Sequence, residues 1–295
     1  MEVIRSVLFD DEDEDIDYED EDDTDSESSD DKVPVKKTRK RYPRKDATKS
    51  GWWKDLQRQY RDDCPQYFRK RWLSRFRVPI ETFDHIVDLF KRKGWYDEKQ
   101  GRAGSGVPPH PFELKLMGAL RYLGRGEVFD TIAECCDDTI SSETFRTFTR
   151  WFCFKMYSIK DEYIRLPDPK NMEEMSACMK PYSDAGLNGA IGSIDGVAVA
   201  WGNAPASRRH EMIGKVPYPH VGFNCVVNHA RRFLHVSQVF PGGINDLTKV
   251  HYDSFCQDLL NGKYDDVKVH LYNDTGSVIE YRGACYVISD GGYHE

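Results

Sequence analysis

Gly192-Ser193-Ile194-Asp195-Gly196-Val197 and Tyr286-Val287-Ile288-Ser289-Asp290-Gly291-Gly292-Tyr293 decide the fold expected of this chain. Each sets an aspartate directly after a short apolar run of the kind that forms a buried strand. Two carboxylates delivered by neighbouring strands offer hard oxygen ligands to a divalent ion, as phosphodiester chemistry requires. Such a site ordinarily takes one more acidic ligand. Both aspartates also admit a turn reading, because Asp-Gly is a frequent hairpin pair. Against a turn at Asp195, the apolar run resumes at Val197-Ala198-Val199-Ala200, and a long connection, 202–217, precedes the next strand.

Working outward, stretches 190–201, 219–228 and 232–240 read as strands, with Asn228-His229-Ala230-Arg231 as the hairpin turn between the second and third. Pro241-Gly242-Gly243 breaks the sheet, and Asn245 or Asp246 caps a helix to about residue 260. Asp246 reads better as that cap than as a metal ligand. A last strand over 284–289 delivers Asp290. The order β-β-β-α-β, with acids on the first and fourth strands, is the opening half of a ribonuclease-H-like α/β fold.

Upstream the period is helical. Trp53, Leu56 and Tyr60, then Tyr67, Phe68, Trp72 and Phe76, recur at helical spacing, and Pro79 with Glu81 starts another helix. A Gly- and Pro-rich linker is expected over 101–111. Three segments follow, over 112–123, 127–136 and onward from an N-cap at Ser141 or Ser142. Two short helices, a turn and a longer third resemble a helix-turn-helix unit, in which Thr144, Arg146, Thr147 and Arg150 would face a DNA groove. A plain three-helix bundle has the same pattern. The organisation expected is a tail (1–50), a basic helical leader (51–110), the helix-turn-helix-like region (111–180) and a partial nuclease domain (181–295).

The net charge of −8 averages two opposed regions. Residues 1–31 hold 17 acids and one base, Arg5, whereas the remainder carries 41 bases against 33 acids. An acidic tail on a basic body suits a nucleic-acid binder, and equally a solubilising tail. The cluster Lys36-Lys37-Thr38-Arg39-Lys40-Arg41-Tyr42-Pro43-Arg44-Lys45 reads as a nuclear-import signal or a phosphate-contacting arm, or as a charge-balancing linker. Arg208, Arg209, His210 and Lys215 form a basic loop after the first aspartate, suited to phosphate contact or simply solvated. The 8 cysteines include no Cys-x-x-Cys pair, which argues against a zinc site or a disulfide framework. No apolar run reaches membrane-spanning length.

These residues together resemble the PIF/Harbinger-type transposases, also called the plant transposon protein or DDE superfamily-4 endonuclease family. The resemblance rests on Gly192-Ser193-Ile194-Asp195-Gly196, Trp201 with Ala204-Pro205, Gly214-Lys215 ahead of Pro219, Phe240-Pro241-Gly242-Gly243-Ile244-Asn245-Asp246, and Ser289-Asp290-Gly291-Gly292-Tyr293. It implies a nuclear, metal-dependent DNA endonuclease and strand-transfer protein. Asp195 and Asp290 would be its catalytic metal ligands for Mg²⁺ or Mn²⁺, and Lys215, Arg208, Arg209, Arg146 and Arg150 its DNA contacts. The implied partners are DNA and a Myb-like accessory protein, and an oligomer is compatible with the family. The family's third acid is a glutamate a few dozen residues beyond the second, a region expected to be missing here, since Glu295 lies too close to Asp290 to replace it. Two readings therefore stand: an incomplete nuclease, or a catalytically inactive transposon-derived DNA-binding protein.

Overall fold

The computed structural model describes residues 45–96, 109–202, 204–272 and 275–290. The acidic run, the basic cluster up to Arg44, most of the expected linker and Gly291-Gly292-Tyr293 lie outside them. The described residues fall into two compact units, 45–159 and 160–290.

The first unit is helical. Helix α1 (Gly51–Gln59) is capped by Ser50, whose hydroxyl accepts the Trp53 N–H. Helices α2 (Gln66–Phe76), α3 (Ile80–Arg92) and α4 (Phe112–Arg125) each follow a proline, Pro65, Pro79 and Pro111. Proline fixes φ near the helical value and lacks the N–H that a first turn leaves unpaired. Helix α5 (Phe129–Cys135) ends where Asp137 and Asp138 take positive φ, 58° and 52°. Asp137 turns that break to use, since its Oδ2 accepts the Gly51 N–H at 2.7 Å and ties the turn to the start of α1. Helix α6 (Ser142–Ser158) is capped by Ser141, which accepts the Thr144 N–H.

One aromatic-rich core joins all six helices, with Leu56, Phe83, Phe90, Leu116, Ile132 and Phe145 fully enclosed. The leader helices and the helix-turn-helix-like segment therefore share a single interior. The close approach of α4 and α6 depends on Gly118, where an added Cβ would stand 2.2 Å from the Phe145 ring.

The second unit opens with the short helix α7 (Lys160–Tyr163) and with α8 (Met172–Ser183), capped by Asn171. The strands are β1 (Ala190–Ala200), β2 (His220–Val227), β3 (Phe233–Val236), β4 (Phe240–Pro241), β5 (Lys268–Tyr272), β6 (Val278–Arg282) and β7 (Tyr286–Ile288). The main sheet runs β3-β2-β1-β7 with β4 also on β2, while β5 and β6 pair only with each other. Strands β1 and β2 are antiparallel, and β1 and β7 are parallel. The expected turn at 228–231 closes as read, with the Arg231 N–H bonded to the Asn228 carbonyl and φ of 61° at Arg231.

Two expectations change. The third stretch, read as one strand over 232–240, divides into β3 and β4. The single helix expected to about residue 260 is two, α9 (Asp246–Tyr252) and α10 (Ser254–Leu260). The break is Asp253, wholly buried, whose Oδ1 accepts the Phe255 and Cys256 N–H groups and so starts a new helix. Ile191, Ile194, Val226, Met175, Phe255 and Val269 form the core of this unit. Among the described residues no helix is long and apolar enough to cross a membrane.

Candidate metal and nucleic-acid site

Asp195 lies in the middle of β1 rather than at its end. Residues 190–194 are mostly buried, whereas Asp195, Val197, Ala198, Val199 and Ala200 are exposed. What stops at this level is the neighbouring strand, because β7 pairs with β1 only from Ala190 to Ser193. The aspartate therefore stands where the sheet narrows and β1 runs on against β2 alone.

Register relates the stretches that lead to the two aspartates. The last β1–β7 pair is Ser193 with Ile288. Asp195 and Asp290 each lie two residues beyond that pair, Asp195 within β1 and Asp290 past the end of β7. Ile194 and its partner Val226 belong to the core, with Val287 packed against it, so Asp195 and Ile288 belong to the opposite face. Asp290 is exposed. The Asp195 Oδ1 accepts the N–H of Gly196 at 2.7 Å. Opposite Asp195 on β2 is Cys225, whose thiol is pushed up by burial and then by the charges of Asp195 and Asp253. The Asp-Gly turn reading is thus set aside for Asp195, which is a strand residue.

Asp246 is not the cap of α9. Asn245 caps α9, accepting the Thr248 N–H at 2.7 Å, and Asp246 pairs with the buried Lys249 at 3.1 Å. Lys249 lies over Gly222, where an added Cβ would meet its Nζ at 3.0 Å. Gly222 shares the core face with Asn224 and Val226, so this pair lies across the sheet from Asp195.

The basic loop is held at the far end of the β1–β2 hairpin. Gly243 donates to the Glu211 carbonyl, His220 to that of Met212, and Gly214 fits against the Gly242 backbone. These anchors lie level with Val199 and Ala200, about 15 Å along β1 from Asp195 at a strand's usual rise. Arg208, Arg209 and Lys215 are exposed, with Arg208 paired to Glu211 at 3.1 Å. The structure does not gather them around the aspartates. On α6, Arg146 and Arg150 are exposed as expected, but Glu143 takes Arg146 at 3.3 Å and the Thr147 hydroxyl at 3.0 Å. Thr144 is half-buried and bonded to Ser141.

Sequence reading missed the pair His235–Asp253. The His235 Nε2 lies 3.2 Å and 3.3 Å from the two Asp253 oxygens, in the core between β3 and α10. Burial pushes the Asp253 carboxyl up, but His235 and the two backbone N–H groups outweigh it and hold its pKa below the ordinary value. The cue was Asp253-Ser254-Phe255, an N-cap pattern inside a stretch already read as helix.

Among the described residues no group of three His, Cys, Asp or Glu side chains is placed to hold a metal ion. Asp195 and Asp290 are exposed carboxylates, hard oxygen donors of the type that suits an ion keeping most of its water shell.

Residues 161–295 match the family model of plant transposon proteins. The match covers the unit that carries both aspartates and supports a transposon-derived origin for it. No curated protein and no solved structure matches the chain.

Proposed function

We propose that the unit over 160–295 is a transposase-type DNA endonuclease domain of the PIF/Harbinger kind, on a ribonuclease-H-like plan. Asp195 and Asp290 are its metal ligands. The observation that carries this reading is the parallel β1–β7 pairing, whose last pair, Ser193 with Ile288, precedes each exposed aspartate by two residues. Mg²⁺ or Mn²⁺ held there would supply an activated water or 3′-hydroxyl and charge stabilisation at the leaving oxygen. The chain's own part is orientation. Cross-strand pairing with β2 fixes the backbone of Asp195, and the Gly196 N–H holds one of its oxygens. The buried Ile194 and Val226 keep the strand from slipping register, since a shift of one residue would turn Asp195 into the core. A nuclear location and a Myb-like partner belong to the same proposal.

The second reading, a DNA-binding protein without cleavage activity, draws on the lack, among the described residues, of any group of three His, Cys, Asp or Glu side chains placed to hold a metal. Incubating the full chain with supercoiled plasmid and Mn²⁺ separates the two. Nicking that falls to background in both Asp195→Asn and Asp290→Asn supports the nuclease. Nicking that persists at the original rate in those variants removes the aspartates from the chemistry. Salt-sensitive duplex binding without nicking, unchanged by Asp195→Asn, establishes the second reading.

A further inference from the structure

Between Gln66 and Arg77 the chain has five bases and no acid. Helix α2 buries only Trp72 and Phe76, leaving Arg69, Lys70 and Arg71 exposed, with Arg77 exposed just beyond its end. Arg75 alone is committed to the fold, holding Asp55 of α1 at 3.0 Å. Arg69 reaches Glu81 only at 4.0 Å, with both side chains largely in water. Among the described residues no carboxylate pairs with Lys70, Arg71 or Arg77. Helix α3 next to it shows what an ordinary solvated face looks like here, mixing Glu81, Asp84 and Asp88 with Lys91 and Arg92.

The backbone holds the end of this cationic row in place. Arg77 has φ of 60°, and its Cβ and Cγ pack where a Cβ on Gly124 of α4 would stand, at 3.0 Å and 2.8 Å. Arg125 at the end of α4 donates to the Ser74 carbonyl at 3.3 Å and pairs with Glu127 at 3.2 Å, so it ties α4 to this end of α2 and adds no unpaired charge. From Arg69 to Arg77 the charges extend about 12 Å along the helix axis. That length spans several phosphates of a duplex, whose strands each carry one charge per about 3.4 Å. Exposed Tyr67 adds a hydroxyl of the type that bonds phosphate.

We propose that α2, with Arg77, is a sequence-independent contact surface for the phosphate backbone of duplex DNA, additional to the α6 residues and the β1–β2 loop. The proposal rests on DNA being this protein's partner. Its chemistry, cations without a nucleophile or metal ligand, suits positioning or retaining DNA. Because α2 is held by Trp72, Phe76 and Arg75, neutralising its outer cations leaves the packing intact.

The test is the salt dependence of full-chain affinity for two duplexes of unrelated sequence, compared with a variant carrying Arg69→Gln, Lys70→Gln and Arg71→Gln. The slope of log K against log salt becomes shallower by about 0.9 for each phosphate that the variant no longer neutralises, up to about 2.7, and equally on both duplexes. A charge-retaining variant, Arg69→Lys, Lys70→Arg and Arg71→Lys, restores the slope, which separates the removal of charge from a failure to fold. Lys180→Gln, from an exposed ion pair with Asp184 in the other unit, leaves it unchanged. An unaltered slope in the glutamine variant overturns the proposal, even if its affinity for poly-glutamate falls. It does so without touching the nuclease reading, which is judged by nicking. A wild-type chain that binds neither duplex overturns it together with the DNA partner.

Discussion

The two units are stabilised by different means. The helical unit has an interior of aromatic and aliphatic side chains, in which Phe90 alone meets the rings of Trp95, Phe112, Trp151 and Phe152. The sheet unit has a smaller apolar core and keeps charge inside it, with Asp253 against His235 and Lys249 against Asp246. Burial and Asp253 together push the Cys256 thiol up to about 12. Aromatic packing is insensitive to pH. A buried carboxylate holding both an imidazole and a helix start is not, so the difference predicts that acid loosens the sheet unit first.

The largest expected effect breaks the helical side of that contrast. Phe90→Ala removes the ring at the centre of four aromatic contacts and should destabilise the helical unit by about 3–5 kcal/mol. Denaturant unfolding followed by tryptophan fluorescence measures it. A loss under about 1 kcal/mol would mean the cluster repacks and is not the framework described.

Asp253→Ala tests the sheet side. It leaves His235 without its partner in the interior and removes the cap of α10, a loss of about 3 kcal/mol. The pH dependence sharpens the test. The folded pKa of Asp253 lies below its ordinary value of 3.8, so its contribution is fully present above that value and is lost as pH falls through the folded one. Acid unfolding of the sheet unit, read by far-ultraviolet circular dichroism, should therefore lose part of its steepness in Asp253→Asn. An unchanged acid profile would show that another carboxylate sets it.

Gly242→Ala gives the smallest change, about 1–3 kcal/mol. The new Cβ would stand 2.4 Å from the Met212 carbonyl oxygen and 2.6 Å from the His220 ring. The loop carrying Arg208, Arg209 and Lys215 should then detach from the β4 turn, while the helical unit keeps its unfolding midpoint. Faster amide exchange confined to residues near Met212 checks this, and a uniform change across the chain would contradict it.

Local pattern was enough for much of this architecture, because its signals are short-range. Pro79 marked the start of α3 and Pro111 that of α4, and Ser141, one of two serines read as the cap, opened α6. Apolar, β-rich runs marked β1 and β2, and the turn at Asn228 joined the next strand. The helix expected after Asn245 was right in extent and wrong in continuity, because a buried N-cap inside an apolar run looks like any other helical aspartate until His235, 18 residues earlier, is seen beside it. Strands β5 and β6 went unread although Val267, Val269 and Leu271 alternate into the core.

The chain's pattern put Asp195 and Asp290 each directly after an apolar strand, since that needs only the apolar runs before them. Their relation came from pairing between segments more than 90 residues apart. The parallel pairing of β1 and β7 brings the stretches before them side by side, and the early end of β7 leaves Asp195 exposed in mid-strand. Likewise the five cations from Arg69 to Arg77 were countable in one dimension, but folding decided that Arg75 turns inward to Asp55 while the others face water. Register and burial are non-local properties, fixed by which surfaces exclude water together, and no window of sequence contains them.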